Sequence, residues 1–404
     1  MRKAKGASRG AVLLGVLALV VTVVGCQDDG RVTAPGGVPR FNQGSGTMRA
    51  PLNPELVARG KEIFRHDDFG DAAFWTGALR LNEVVNTLTP VQALGLGLKV
   101  DLDALPPGIL GSVDLNSPAT TRALLSLDAV VGVKARVEGD RITRLGITCA
   151  LCHSTVDDAA VPGVGHRLDG WPNRDLNVGG IVAASPAIAA GAFKDYLLSW
   201  GRGRYDARVN LDGRMDGPTE IPPAYGLADV ALETYTGEGP VSYWNAYVAV
   251  TQMHGQGTFS DPRLGIHVTP DGPDLVQPKL PALREYQLSL AAPAGDPASA
   301  ASERGRALFE GKAGCAECHV PPTFTDAPRL HAPAEVPVEA TWADRSATKL
   351  YRTTPLRGLI HHGPYFHDGS AATLADVVAR YDAFKGLGLN VAERADLVAY
   401  LRTL

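Results

Sequence analysis

Cys149-Ala150-Leu151-Cys152-His153 and Cys315-Ala316-Glu317-Cys318-His319 are two copies of one pentapeptide, Cys-x-x-Cys-His. The pattern is that of a c-type haem attachment site. Two thiols at this spacing each take one vinyl group of a single porphyrin, and the adjacent histidine reaches the iron from the proximal side. The chain has five cysteines, and four of them lie in these motifs. Two covalently bound c-type haems are therefore expected, attached at Cys149, Cys152, Cys315 and Cys318, with His153 and His319 as proximal ligands. A zinc centre built from two Cys-x-x-Cys pairs is the alternative. It leaves the repeated histidine without a role and must bring together pairs far apart in sequence.

The fifth cysteine, Cys26, speaks to location. Residues 1–10 hold Arg2, Lys3, Lys5 and Arg9 and no acid, and an apolar run follows from Ala11 to Gly25. A basic start, a short apolar core and small residues at its end describe a secretory signal. The run is short for a membrane span, which needs about 20 apolar residues. Val23-Val24-Gly25-Cys26 resembles the lipobox of bacterial lipoproteins. The resemblance implies a signal peptide over 1–25, cleavage before Cys26 and lipidation of its sulfur; an uncleaved helical anchor is the other reading. Both place the mature chain on the periplasmic side of a bacterial membrane. Gln27, where an aspartate would favour the inner membrane, favours the outer one by the same resemblance. Residues 26–53 are rich in Gly, Pro and polar residues and read as a flexible tether.

The formal net charge is −4, and removal of residues 1–25 takes away four basic residues and no acid. An acidic surface of this kind argues against nucleic acid and anionic lipid as partners. Apolar content is 45 %, and a mature chain of about 380 residues suggests two or three domains.

The second motif sits in a compact segment. Ala301 to Phe309 reads as a helix just before Cys315. Thr373 with Asp376, and Asn390 with Glu393, read as N-cap pairs of two further helices. Leu374, Val377, Val378 and Tyr381 follow i, i+3, i+4, i+7, and Leu397, Val398, Leu401 and Leu404 form a second apolar stripe. The first half echoes this plan. Arg59-Gly60-Lys61-Glu62-Ile63-Phe64 matches Arg304-Gly305-Arg306-Ala307-Leu308-Phe309 in character. Pro222-Pro223-Ala224-Tyr225-Gly226-Leu227 parallels Thr354-Pro355-Leu356-Arg357-Gly358-Leu359. The expected fold class is mainly α: two cytochrome c-like helical haem domains, the first enlarged by insertions. The expected boundaries are 54–290 for the first domain, 291–300 for a Pro- and Ala-rich linker and 301–404 for the second. Within the insertions, Asp67 to Thr148 and Val161 to Asp216, periodicity is weak and no element is assigned.

Arg352-Thr353-Thr354-Pro355-Leu356-Arg357-Gly358, Gly363-Pro364-Tyr365-Phe366-His367-Asp368-Gly369-Ser370 and Thr373-Leu374 with Val377-Val378 resemble the C-terminal part of bacterial dihaem cytochrome c peroxidases and MauG-like proteins. In that family a residue on the helix after the His-Asp-Gly turn sits over the C-terminal haem, methionine in peroxidases and tyrosine in MauG-like members. The matching position here is Tyr381, which makes it the candidate distal ligand of the second haem; packing alone is its other role. The four methionines are Met1, Met48, Met215 and Met253, and none follows Cys315. For the first haem, Met253 is the candidate distal ligand and His254 the alternative, with Met215, His166 and His267 less favoured. Arg357 and His367 are candidates for the second haem's propionates or distal edge, or else for holding the turn. His361 and His362 read as loop residues. The resemblance places the peroxidatic haem in the N-terminal half, yet no residue here matches the family's distal acid. Asp157 and Asp158 fit a charged surface loop better than that role, so no catalytic residue is assigned.

The resemblance implies an oxidoreductase in which electrons from a redox partner (a small cytochrome, a cupredoxin or a protein substrate) enter at the C-terminal haem and reduce peroxide at the N-terminal one. The alternative is a non-catalytic dihaem relay held at the membrane by its lipid anchor. A structural or ligand-binding lipoprotein with silent haems is a third class.

Overall fold

Asn53 caps the first helix. Its side chain accepts the N–H groups of Glu55 and Leu56, and Pro54 supplies a preset φ in the first turn. The computed structural model describes residues 51–404, so the signal peptide, Cys26, Met48 and all but the end of the tether lie outside the described residues. No helix among the described residues is long and apolar enough to cross a membrane. Six helices frame the fold: α1 (Pro54–His66), α2 (Val241–Tyr247), α3 (Leu280–Ser289), α4 (Ala300–Glu310), α5 (Leu374–Lys385) and α6 (Val391–Leu401). Thr373 with Asp376 and Asn390 with Glu393 both form reciprocal capping boxes, at α5 and α6, as their spacing predicts.

The molecule is mainly helical, and the same helix crossing occurs twice. α1 packs on α3, and α4 packs on α6. At the first crossing Gly60 lies so close to α3 that a Cβ there would stand 2.0 Å from the Ala282 carbonyl oxygen and 2.6 Å from Tyr286 Cβ. At the second, a Cβ on Gly305 would stand 1.9 Å from the Asp396 oxygen and 2.8 Å from Tyr400 Cβ. Four residues after each glycine an aromatic ring meets that tyrosine edge-on: Phe64 with Tyr286 at 5.4 Å, Phe309 with Tyr400 at 5.2 Å. Glycine is required because the backbones touch, and the aromatic pair fills the groove beside the contact. The Arg-Gly motif repeated in the sequence is therefore the same crossing built twice.

Three large apolar cores stand out among the described residues. The first contains Phe64, Tyr247, Val250, Leu283 and Tyr286. The second, in the inserted region, contains Leu81, Leu125, Val130, Ile142 and Leu145. The third contains Phe309, Leu359, Leu374, Val378, Leu397 and Leu401. The inserted region holds an antiparallel hairpin, β1 (Val133–Glu138) with β2 (Arg141–Ile147). The hairpin base sets the first motif, because Thr148 N–H donates to Gly132 O at 2.9 Å and Thr148 Oγ1 to Arg65 O at 3.1 Å.

The helical plan around the second motif is interrupted by one short strand pair. β3 (Leu330–His331) pairs with β4 (Tyr351–Arg352), and between them the chain crosses to the other half. Trp342, Ala343 and Tyr351 are buried in the first core. Arg345 is enclosed there by Asp206 (3.0 Å), Asp212 (2.8 Å) and Asp216 (3.0 Å). Paired strand ends are an economical way to hold open the base of so long an excursion.

Candidate haem sites

Each attachment histidine is oriented by a backbone carbonyl. His153 Nδ1 lies 3.1 Å from Pro222 O, and His319 Nδ1 lies 3.0 Å from Phe324 O. A carbonyl only accepts, so Nδ1 carries the proton and Nε2 keeps its lone pair for a metal. Burial, with the nearby Arg174 charge, pushes the His153 imidazole down to about 4. Burial lowers His319 as well. Both rings are thus neutral at pH 7, the form that binds iron.

The repeated turn reappears in space. Gly226 and Gly358 both adopt the left-handed region, at φ +67° and +66°. Their segments meet in a reciprocal seam. Arg357 Nη1 donates to Gly226 O (2.9 Å) and Ala228 O (2.6 Å), while Tyr225 Oη donates to Gly358 O (3.4 Å). Tyr225 and Arg357 occupy equivalent places in the two turns, and each ties its own half to the other.

A cavity of about 840 Å³ opens beside the second motif. Cys315, Cys318 and His319 line it from one side, and Tyr381 on α5 lines it from another. Burial, together with the two thiols, pushes the Tyr381 phenol up to about 12. Two cysteines, a neutral histidine and a phenol around one mostly apolar space fit a covalent haem with tyrosine on its distal side. The same wall holds polar atoms with no partner in the protein. Arg352 Nε, Arg174 Nε, Glu233 Oε2 and His362 Nε2 are all buried and unpaired, and all four residues line the cavity. A haem presents two carboxylates that need donors such as the two guanidinium N–H groups.

Among the described residues the four motif cysteines do not converge. The one cluster with metal-ligand proximity is Cys318, Asp326 and His331. That geometry removes the four-cysteine zinc alternative.

Arg357 lines the cavity, but its Nη1 is committed to the seam carbonyls. His367 lines it too; its Nε2 pairs with Glu339 Oε1 at 2.7 Å, and its ring stacks on Tyr351. Met253 is 4 % exposed, in the core against which Cys149 packs. His254 is exposed, at φ +60°, stacked on Phe74 at 3.6 Å. Of these two, Met253 is the buried one. Met215 is exposed, His267 is exposed, and His166 is an exposed partner of Asp103. Asp157 and Asp158 accept backbone amides of their own loop.

Sequence reasoning missed Arg174, Trp171 and Glu233. Gly170 N–H donates to His153 O (2.8 Å) and Asn173 N–H to Cys152 O (2.9 Å). Trp171 reaches from there to the His361 ring at 4.8 Å, and Arg174 Nη2 bonds His362 O at 2.7 Å. Five consecutive residues thus run from the first motif to the wall of the second cavity. They lie in an insertion with no periodicity to mark them. Arg352 was quoted within the matched segment but given no role.

No protein-family description matches the chain. Individual relatives do. Cytochrome-c peroxidase IdrP2 of a Pseudomonas sp. is 27% identical over 378 residues, covering 79% of this chain and 89% of its own. Cytochrome-c peroxidase IdrP1 of Denitromonas iodatirespirans is 34% identical over 159 residues, covering 28% and 42%. Methylamine utilization protein MauG of Methylorubrum extorquens is 36% identical over 124 residues, covering 26% and 34%. The IdrP1 and MauG matches therefore span less than half of those relatives.

Proposed function

We infer, for a chain that belongs to the dihaem cytochrome c peroxidase and MauG-like family, an exported dihaem oxidoreductase that takes electrons from a redox partner and reduces peroxide. The observation that supports this reading best is the doubled construction. Two thiol pairs each precede a neutral histidine whose Nδ1 is fixed by a carbonyl, within two copies of one helix crossing. When bound, a haem at each motif supplies one-electron chemistry at its iron, tuned by axial ligand and pocket polarity.

The chain's own contribution is position. Cys149 and Cys152, and Cys315 and Cys318, fix each porphyrin covalently. His153 and His319 present Nε2. Tyr381 offers an anionic oxygen when deprotonated, which favours higher iron oxidation states. The Gly170–Arg174 strap and the Tyr225–Arg357 seam hold the two sites at a constant separation, as electron transfer from the second site to the first requires. The division at 291–300, lipidation at Cys26 and a periplasmic, outer-membrane location belong to the same reading.

Two measurements test it. Intact mass of denatured protein is expected to show two haem adducts. Peroxide added to partly reduced protein is expected to be consumed. Two low-spin irons and no consumption would sink the enzyme reading. The relay reading has one observation in its favour, the buried Met253, and predicts that second outcome. Tyr381→Phe is expected to shift the absorption bands of the second haem while leaving those of the first; an unchanged spectrum would exclude ligation by Tyr381.

A further inference from the structure

We propose that Glu233 and Arg352 form a proton-and-carboxylate site on the second haem cavity: Arg352 holds a haem propionate, and Glu233 takes up a proton when that haem gains an electron. The assignment rests on the haem reading above. Arg352 is 8 % exposed, with Nη1 spent on Leu232 O at 2.8 Å and its backbone N–H on Tyr235 O at 2.8 Å. Its Nε is buried and points to no protein acceptor. Glu233 accepts the Val241 amide, while Oε2 is buried and unpaired. The two groups feel each other's charge, yet no hydrogen bond joins them. A buried guanidinium and a buried carboxyl that share a cavity wall without closing on each other leave room for a ligand that accepts from one and meets the other. A propionate would suit that gap, since its carboxylate could accept from Arg352 and, when Glu233 is protonated, from Glu233 as well.

The charged groups facing Glu233 are Arg284 on α3 and Arg352 on β4; Arg174 and Glu220 act on the adjacent Tyr235. Burial outweighs the two arginines and pushes Glu233 up to about 7. With a haem held there, its reduction by an electron from the redox partner would remove one positive charge from the cavity. A carboxylate nearby then binds a proton more tightly, and the proton comes from solvent. Well below that range Glu233 is protonated in both oxidation states, so the potential is independent of pH. Through and just above it, reduction and proton uptake are coupled, so the potential falls as pH rises.

The test is a mediated redox titration of the holoprotein, followed optically across the neutral range. The second haem's wave is the one whose absorption bands move in Cys318→Ala, which keeps one thioether link at Cys315. That wave is expected to fall with pH in the native protein and to be flat in Glu233→Gln, which keeps an acceptor for Val241; the first haem's wave serves as control. Arg352→Gln is expected to lower the second potential, and Arg352→Lys to restore most of it. An unchanged slope in Glu233→Gln, or an unchanged potential in Arg352→Gln with both haems attached by mass, would overturn the assignment. Absence of haem adducts would instead overturn the haem reading on which it rests.

Discussion

Cys315→Ala/Cys318→Ala is expected to lose one of two haem adducts and to unravel the C-terminal half while the first haem stays attached. The size of the second cavity argues for so large an effect. The space of about 840 Å³ is partly open to solvent, yet at about 24 cal/mol per Å³ of residual cavity even a quarter of it kept dry would cost about 5 kcal/mol. That is comparable with the roughly 5–15 kcal/mol by which a native protein is stable. Water can fill the polar end near Arg352 and Glu233, but the wall formed by Leu374, Val378, Leu397 and Leu401 gives it no partners. A porphyrin bound there would supply core that the segment itself lacks. Intact mass and limited proteolysis check this: one adduct, with cleavage concentrated beyond residue 300. A variant as resistant as the native protein would mean that the cavity is not held open by a haem.

Gly60→Ala is expected to destabilise by about 2 kcal/mol or more, and Gly305→Ala by a similar amount. Two effects oppose each other. Alanine in a helix is favoured over glycine by about 1 kcal/mol. Overpacking costs about 1–3 kcal/mol and occasionally more. Here the added carbon would stand 2.0 or 1.9 Å from a backbone oxygen, and no rotamer change can relieve such a contact. The helices must separate, which also loosens the Phe64–Tyr286 or Phe309–Tyr400 pair. The penalty wins. Thermal unfolding checks it, at a shift of about 2–4 °C per kcal/mol for a domain of 150–250 residues. An unchanged or raised midpoint would show that the crossings are looser than described.

The framework of the fold was legible because it rests on local chemistry. Thr373 and Asp376 announce a helix start by spacing alone, and the Cys-x-x-Cys-His pentapeptides carry their meaning in five residues. The repeated Arg-Gly motif was visible as likeness; its reason, a carbonyl pressed against each glycine, is a contact between residues far apart in the chain. The hairpin β1–β2 escaped because Arg136/Val137 interrupts its register, which blurs alternation. Glu233, Arg174 and Trp171 escaped for a different reason. Their significance lies in lacking a partner, or in bridging two sites, and neither property has a sequence period. Tyr381 and Met253 could be nominated as distal residues, whereas Arg357 could not be foreseen as the tie across the seam.

The first helix crossing has a consequence for how the molecule comes into being. The partner of α1 is α3, at the far end of everything inserted between them, and loop closure over such a span slows folding. During synthesis the first pentapeptide emerges long before α3, and the second is followed quickly by α6. Closure of the first shell around its pentapeptide therefore waits for more of the chain than closure of the second.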